Sequence, residues 1–287
     1  MSYTEYIRLI NDYLDRVLPQ EDTPPQPIYK AMRYSLFAGG KRLRPTLCLL
    51  ATEALGGSVE GILPVAAAIE MIHTYSLIHD DLPCMDNDDF RRGKPTNHKV
   101  FGEAIAVLAG DALLTAALES LSQAPYDAQI RCRLISLLTK GAGPQGMIGG
   151  QVLDILSEAK RLTRVELERM HGMKTAALIG FSAMAPSVVL ESGKEAEHAF
   201  KQFGESIGLA FQIVDDVLDV EGKTEVLGKT AGKDRESEKA TYPSLIGLEE
   251  SKRLAADLAQ NASLAVTKYD SHGQLALFAK HILERRS

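Results

Sequence analysis

Apolar residues recur at helical spacing along nearly the whole chain, and no segment shows the two-residue alternation of a half-buried strand. The pattern predicts an amphipathic helix over residues 3–18, a linker carrying Pro19, Pro24, Pro25 and Pro27, and a second helix over 28–38 stopped by Gly39-Gly40. Apolar runs at 46–55 and 65–81 predict two more helices. Helical periods continue over 101–122 and 129–141, separated near Pro125, then over 146–156, 165–177 and 203–220. Thr163, with Glu166 three residues on, reads as the capping box that opens the 165–177 helix. Two or three further amphipathic helices run from Ser244 to the end. With no Asn-Gly hairpin turn and no internal repeat, the expected fold class is all-α.

Two of these helices are apolar on every face but one. In 65–81 the polar stripe is His73, Ser76 and Asp80, at i, i+3 and i+7. In 203–220 it is Gln212, Asp215, Asp216 and Asp219, at i, i+3, i+4 and i+7. Such helices are buried, with the stripe lining a cavity. Asp80-Asp81-Leu82-Pro83-Cys84-Met85-Asp86 closes the first helix, because Pro83 disfavours helical geometry at Leu82. Carboxylates in a last turn oppose the helix dipole, and a bound cation offsets that penalty. The two acidic clusters are therefore expected to face one another and hold divalent ions. Hard oxygen donors without clustered His or Cys select Mg²⁺, in several ions per site, with Mn²⁺ as a substitute. An EF-hand is excluded: Phe90 and Arg91 fall where an oxygen ligand and a glycine are needed.

Cations recur beside these clusters. Gly40-Lys41-Arg42-Leu43-Arg44-Pro45 places Lys41 and Arg44 just before a predicted helix N-terminus, a combination suited to anions. Arg91-Arg92 follows the first acidic cluster and suits planar recognition of phosphate. Lys174 lies in the apolar segment 170–181, where a charge needs an anion. Gln151 and Asp154 share a face beside Gly149-Gly150. The charged stretch 221–243, with Lys229, Lys233, Asp234 and Lys239, reads as a mobile lid supplying lysines. Its Gly222 and Gly228 are too far apart for a phosphate-binding P-loop, and the stretch follows a helix rather than a strand.

Composition adds boundaries. The 287 residues are 45% hydrophobic with a net charge of −6, which allows a large core and gives no basic surface for nucleic acid. Cys48, Cys84 and Cys132 are scattered without a CxxC pair, as in a cytoplasmic protein with reduced thiols. Residues 1–18 mix charged and apolar positions, unlike a signal peptide, and no run of about 18 uncharged apolar residues predicts a membrane span.

Taken together, DDxxxxD at 80–86, DDxxD at 215–219, the 40–45 segment, Arg91-Arg92-Gly93-Lys94-Pro95-Thr96, Gly149-Gly150-Gln151 and Lys174-Thr175 resemble, in order, the motifs of the short-chain trans-prenyl diphosphate synthases. The resemblance is strongest to the bacterial farnesyl diphosphate synthase type. It implies a single-domain helical bundle around a deep cavity, a homodimer, and condensation of isopentenyl diphosphate with an allylic diphosphate. By the resemblance, Lys41, Arg44, His73 and Arg92 form the isopentenyl diphosphate site. Asp80, Asp86 and Asp215 hold metal, supported by Asp81, Asp216 and Asp219. Arg91, Lys174, Lys229 and Lys239 hold the allylic diphosphate, and Thr175 and Gln212 lie near the developing carbocation. Tyr75, five residues before Asp80 and next to the small Ser76, resembles the aromatic that stops growth at farnesyl. A geranylgeranyl synthase is the nearest rival reading; a non-catalytic partner subunit is a rival of another class, disfavoured because both aspartate motifs are intact.

Overall fold

The structure is a computed structural model that describes residues 1–158, 160–222 and 240–285. Its contacts divide the chain into two compact units, Met1–Leu49 with Val59–Ile135, and Leu50–Ser58 with Ser136–Ser287. Each is helical, as the periodicity predicts.

In the first unit, α1 (Tyr3–Val17) opens on a capping box in which Ser2 and Glu5 satisfy each other's backbone N–H groups. α2 (Gln26–Leu36) starts earlier than expected, because Pro27 is compatible with a first turn and the linker prolines end at Pro25. α3 (Leu43–Ala54) begins before its apolar run, so Arg44 lies inside the first turn while Lys41 precedes it. α4 (Val59–Asp80) is buried along most of its length, and Pro64 sits inside it. Its principal neighbour is α6 (Glu103–Ser122), which offers Ala106, Ala109, Gly110, Leu113 and Ala117 as one buried stripe. Small side chains at i, i+3, i+4 and i+11 let the two backbones approach closely, with Leu113 filling the space between them. The short α5 (Asn97–Phe101) lies between α4 and α6 in sequence, and α7 (Ala128–Ala142) leaves the unit.

One feature departs from an all-helical reading. Phe90–Arg91 (β1) and Lys94–Pro95 (β2) form an antiparallel hairpin whose two loop residues, Arg92 and Gly93, both have positive φ. Strands of two residues are too short to show alternation. The Gly93 that follows Arg92 is the available signal, since a two-residue turn of this kind favours glycine.

In the second unit, α11 (Gly193–Glu221) packs against α10 (Ala177–Val189) and α13 (Leu248–Val266). α8 is Met147–Ser157. α9 (Arg164–His171) opens on the expected Thr163–Glu166 capping box. It does not end near 177: a π-helical turn, Gly172–Ala176, joins it directly to α10. The short α12 (Tyr242–Ile246) and the final α14 (Gln274–Glu284) complete the described chain. Leu167, Met170, Ile213, Val214, Tyr242 and Ala255 form one core cluster here.

Among the described residues, three helical stretches are long and apolar enough to cross a membrane by length and composition, although charged residues interrupt each of them. In two of them, Val59–Asp80 and Arg164–Val189, 78% and 72% of the most apolar stretch is buried inside the protein. Such helices are what an apolar interior requires. In Glu103–Ser122 the buried share is 33%.

Candidate active site

In the first unit the predicted residues other than the exposed Lys41 gather around the C-terminal half of α4. After Asp80 the chain folds back on the helix end, with Asp86 N–H donating to Asp80 O at 2.8 Å and Asn87 N–H to Leu82 O at 3.1 Å. This turn returns Asp86 to the level of Asp80, at the negative end of the helix. Asp81, one residue on, faces elsewhere. It is buried and accepts from Arg91 Nε at 2.7 and 2.9 Å, with Arg91 Nη2 2.5 Å away. Burial opposes the Arg91 charge, but the bond to Asp81 and the nearby Asp80 and Asp88 outweigh it, raising the Arg91 pKa.

Arg92, at the hairpin turn, donates to Gly39 O across the unit. A side chain on Gly40 would run into its guanidinium, so glycine at this position makes room for the arginine. Arg44 Nη1 lies 3.4 Å from His73 Nε2. Burial, and then Arg44, Arg92, Arg91 and Arg42, push the His73 pKa well below its ordinary value. A neutral imidazole among guanidinium groups describes a positively charged cradle that an anion would complete. Ser76 Oγ turns back onto His73 O at 2.9 Å. A small cavity lies next to this cluster, lined by Thr74, Asp81, Arg91, Arg92 and Asn97 among others.

Two residues that hold the cradle were not singled out from sequence. Arg42, between Lys41 and Arg44, is buried and has positive φ. It donates to Glu70 Oε1 at 2.6 Å, to Asn11 Oδ1 at 3.0 Å and to Leu36 O, so it ties the 40–45 segment to α4, α1 and α2. Glu70 was the available signal, as a lone acid inside an apolar helix requires a cation.

In the second unit Lys174 stands on the π-helical turn and donates to Asp154 Oδ2 at 2.5 Å. The anion that its apolar setting demands is thus supplied by α8. The paired glycines explain the approach, because Gly150 lies directly against the backbone of Lys174. Thr175 Oγ1 donates to Gln212 Oε1 at 3.1 Å, Gln212 Nε2 to Asp216 Oδ1 at 3.4 Å, and Tyr242 N–H to Asp216 Oδ2 at 2.9 Å. Asp216 is buried in this chain of bonds, while its neighbour Asp215 accepts from Arg285. His171 stacks on Tyr242 with ring centroids 5.8 Å apart, and burial brings its pKa down to about 4.

The sequence leaves Arg285 open between a solvated terminus and a group that helps close the site. Arg285 is buried, with its guanidinium 3.7 Å from the Phe211 ring centroid, donating to Phe211 O at 3.1 Å. Nothing short of the fold signals that contact. Lys229 and Lys239 lie outside the described residues.

An α-helical chain with aspartates closing apolar helices and cations gathered beside them is built for substrates that join phosphate to hydrocarbon. The chain matches the polyprenyl synthetase family over residues 25–272. It is 45% identical to a farnesyl diphosphate synthase of Micrococcus luteus over 98% of its own length and 96% of that protein's. It is 48% identical to a heterodimeric geranylgeranyl pyrophosphate synthase large subunit of Arabidopsis thaliana, over 94% and 74%. Its fold matches the crystal structure of an FPP/GFPP synthase from Zymomonas mobilis with a TM-score of 0.87 at 38% identity, covering 97% and 98% of the two chains. The protein belongs to the polyprenyl synthetase family and is a prenyltransferase, a trans-prenyl diphosphate synthase.

Proposed function

We propose that this protein is a Mg²⁺-dependent farnesyl diphosphate synthase that adds isopentenyl diphosphate head-to-tail to dimethylallyl and then geranyl diphosphate. The observation that carries the chain length is Tyr75. Its ring is 5% exposed on α4, five residues before Asp80, and its hydroxyl has no hydrogen-bond partner among the described residues. A buried aromatic with an unsatisfied tip suits a wall against which a hydrocarbon tail stops.

The donor chemistry fits Mg²⁺. Asp80, Asp86, Asp215 and Asp219 are the motif carboxylates proposed for metal; Asp81 is held by Arg91, Asp216 by Tyr242 and Gln212, and Asp215 also accepts from Arg285. Among the described residues no three His, Cys, Asp or Glu side chains are grouped to hold an ion. Mg²⁺ keeps waters and shares its shell with substrate phosphate. When bound, it would neutralise charge on the departing diphosphate.

The residues divide the remaining work. Arg44, His73, Arg92 and Lys41 hold the isopentenyl diphosphate, and Arg91 and Lys174 hold the allylic diphosphate. The allylic C–O bond breaks, with its electron pair leaving on diphosphate. The terminal alkene carbon of isopentenyl diphosphate attacks the allylic cation, and loss of a proton to the released diphosphate restores a double bond. Thr175 and Gln212 present oxygen dipoles toward the cation. Apolar walls exclude water that would trap it.

Product analysis with dimethylallyl and labelled isopentenyl diphosphates tests the reading: fifteen-carbon product is expected, and a dominant twenty-carbon product overturns the farnesyl assignment. Tyr75→Ala is expected to lengthen the products. Asp80→Ala and Asp215→Ala should each abolish Mg²⁺-dependent turnover, and normal activity in either would refute the metal assignment.

We further propose a homodimer, supported by the mostly uncovered apolar helix α6.

A further inference from the structure

The Tyr75 ring needs something to hold it still. Among the described residues no polar partner anchors its hydroxyl, so its position there rests on packing. His79, one helical turn on, meets it edge to face, with ring centroids 5.7 Å apart and planes at 74°. His79 is in turn fixed from its other side by α6. Its Nε2–H donates to Val107 O at 3.0 Å, and Asp111 Oδ1 lies 3.9 Å from the same nitrogen.

Between those two residues stands Gly110, one helical turn after Val107. A Cβ there would lie 2.5 Å from His79 Cδ2, 2.8 Å from Cε1 and closer still to Nε2. The imidazole occupies the space that the absent side chain leaves. Val107, Gly110 and Asp111 share one face of α6 at i, i+3 and i+4, and together they make a fitted seat for a ring that belongs to α4.

We infer that His79, seated on Gly110, is a positioning residue for chain length: it braces the Tyr75 ring, so product size depends on how α4 meets α6. This rests on the reading of Tyr75 as the wall that ends elongation. His79 acts on the product only through Tyr75, and Gly110 acts only through His79.

The test is product length from dimethylallyl and isopentenyl diphosphates, with circular dichroism and thermal unfolding confirming that each variant is folded. His79→Ala is expected to raise the share of products longer than the wild-type product about two- to tenfold, the range an edge-to-face contact supplies. It should add nothing in a Tyr75→Ala background. Gly110→Ala should change the distribution in the wild type and have no further effect beside His79→Ala. If Tyr75→Ala lengthens the product while His79→Ala and Gly110→Ala leave it as in the wild type, the brace is refuted and the wall survives. Additive effects of His79→Ala and Tyr75→Ala also refute the brace, since His79 would then act by itself. An unchanged product from Tyr75→Ala removes the wall and the brace together. Should His79→Ala fail to fold, the Gly110→Ala comparison and His79→Phe, which keeps an aromatic edge against Tyr75 and the wild-type length, decide the matter.

Discussion

Neighbouring acids in this protein have different fates, and geometry is the reason. Consecutive helical residues point about 100° apart. Asp216 is therefore buried against Tyr242 N–H while Asp215 meets Arg285, and Asp81 is taken by Arg91 at the end of α4. The Arg42–Glu70 pair, with both side chains 2% exposed, shows the same economy. Removing one partner of such a pair leaves a buried charge and costs about 3–5 kcal/mol. His171 yields a pH prediction. Burial lowers its pKa from 6.5 to about 4, so the folded state favours the neutral ring. The associated stability is fully present above pH 6.5 and is lost as the pH falls through about 4, on the order of 3 kcal/mol. Urea unfolding across this window should show the wild type losing stability faster than His171→Phe, which keeps the stack on Tyr242. Parallel curves would count against it.

At the scale of elements, the π-helical turn and α8 form one device. The extra residue in a π-turn rotates the helix beyond it, and here the turn carries Lys174 and Thr175. Gly150 permits the contact with α8: a Cβ would lie 2.5 Å from Lys174 Cα and closer to its backbone nitrogen. Backbone cannot swing aside as a side chain can. Gly150→Ala is expected to destabilise by about 1–3 kcal/mol and to lower kcat by moving Lys174 relative to Asp154. Gly172→Ala, where nothing lies within 4 Å, is the control, and there the unfolding midpoint should hold or rise. Equal midpoints for the two variants would refute the close contact as the cause.

At the scale of the molecule, α6 is the uneven element. Its buried stripe of mostly small residues meets α4, yet Leu108 on its other face is 52% exposed, with Val107 beside the stripe at 40% and Val100 just before the helix at 45%. Apolar surface gathered in this way marks an interaction face, and a second copy of the chain is the proposed occupant. Leu108→Glu should shift the protein from dimer to monomer by light scattering, and a wild type that is monomeric at all concentrations would refute the proposal.

The sequence by itself determined most of the helices, both aspartate motifs, the Thr163 cap and the family, because helical period, capping chemistry and motif order are local properties of the chain. It pointed to a lysine in need of an anion but not to Asp154, and to two adjacent acids but not to which would be taken by a cation. The Arg42–Glu70 tie, the π-turn under Lys174 and the docking of Arg285 on Phe211 were decided by the tertiary structure. Each joins residues far apart in the chain, or depends on how closely two backbones meet. A single helix cannot encode how close its neighbour will come; Gly110 and Gly150 acquire their meaning when a ring or a backbone arrives to fill the space they leave.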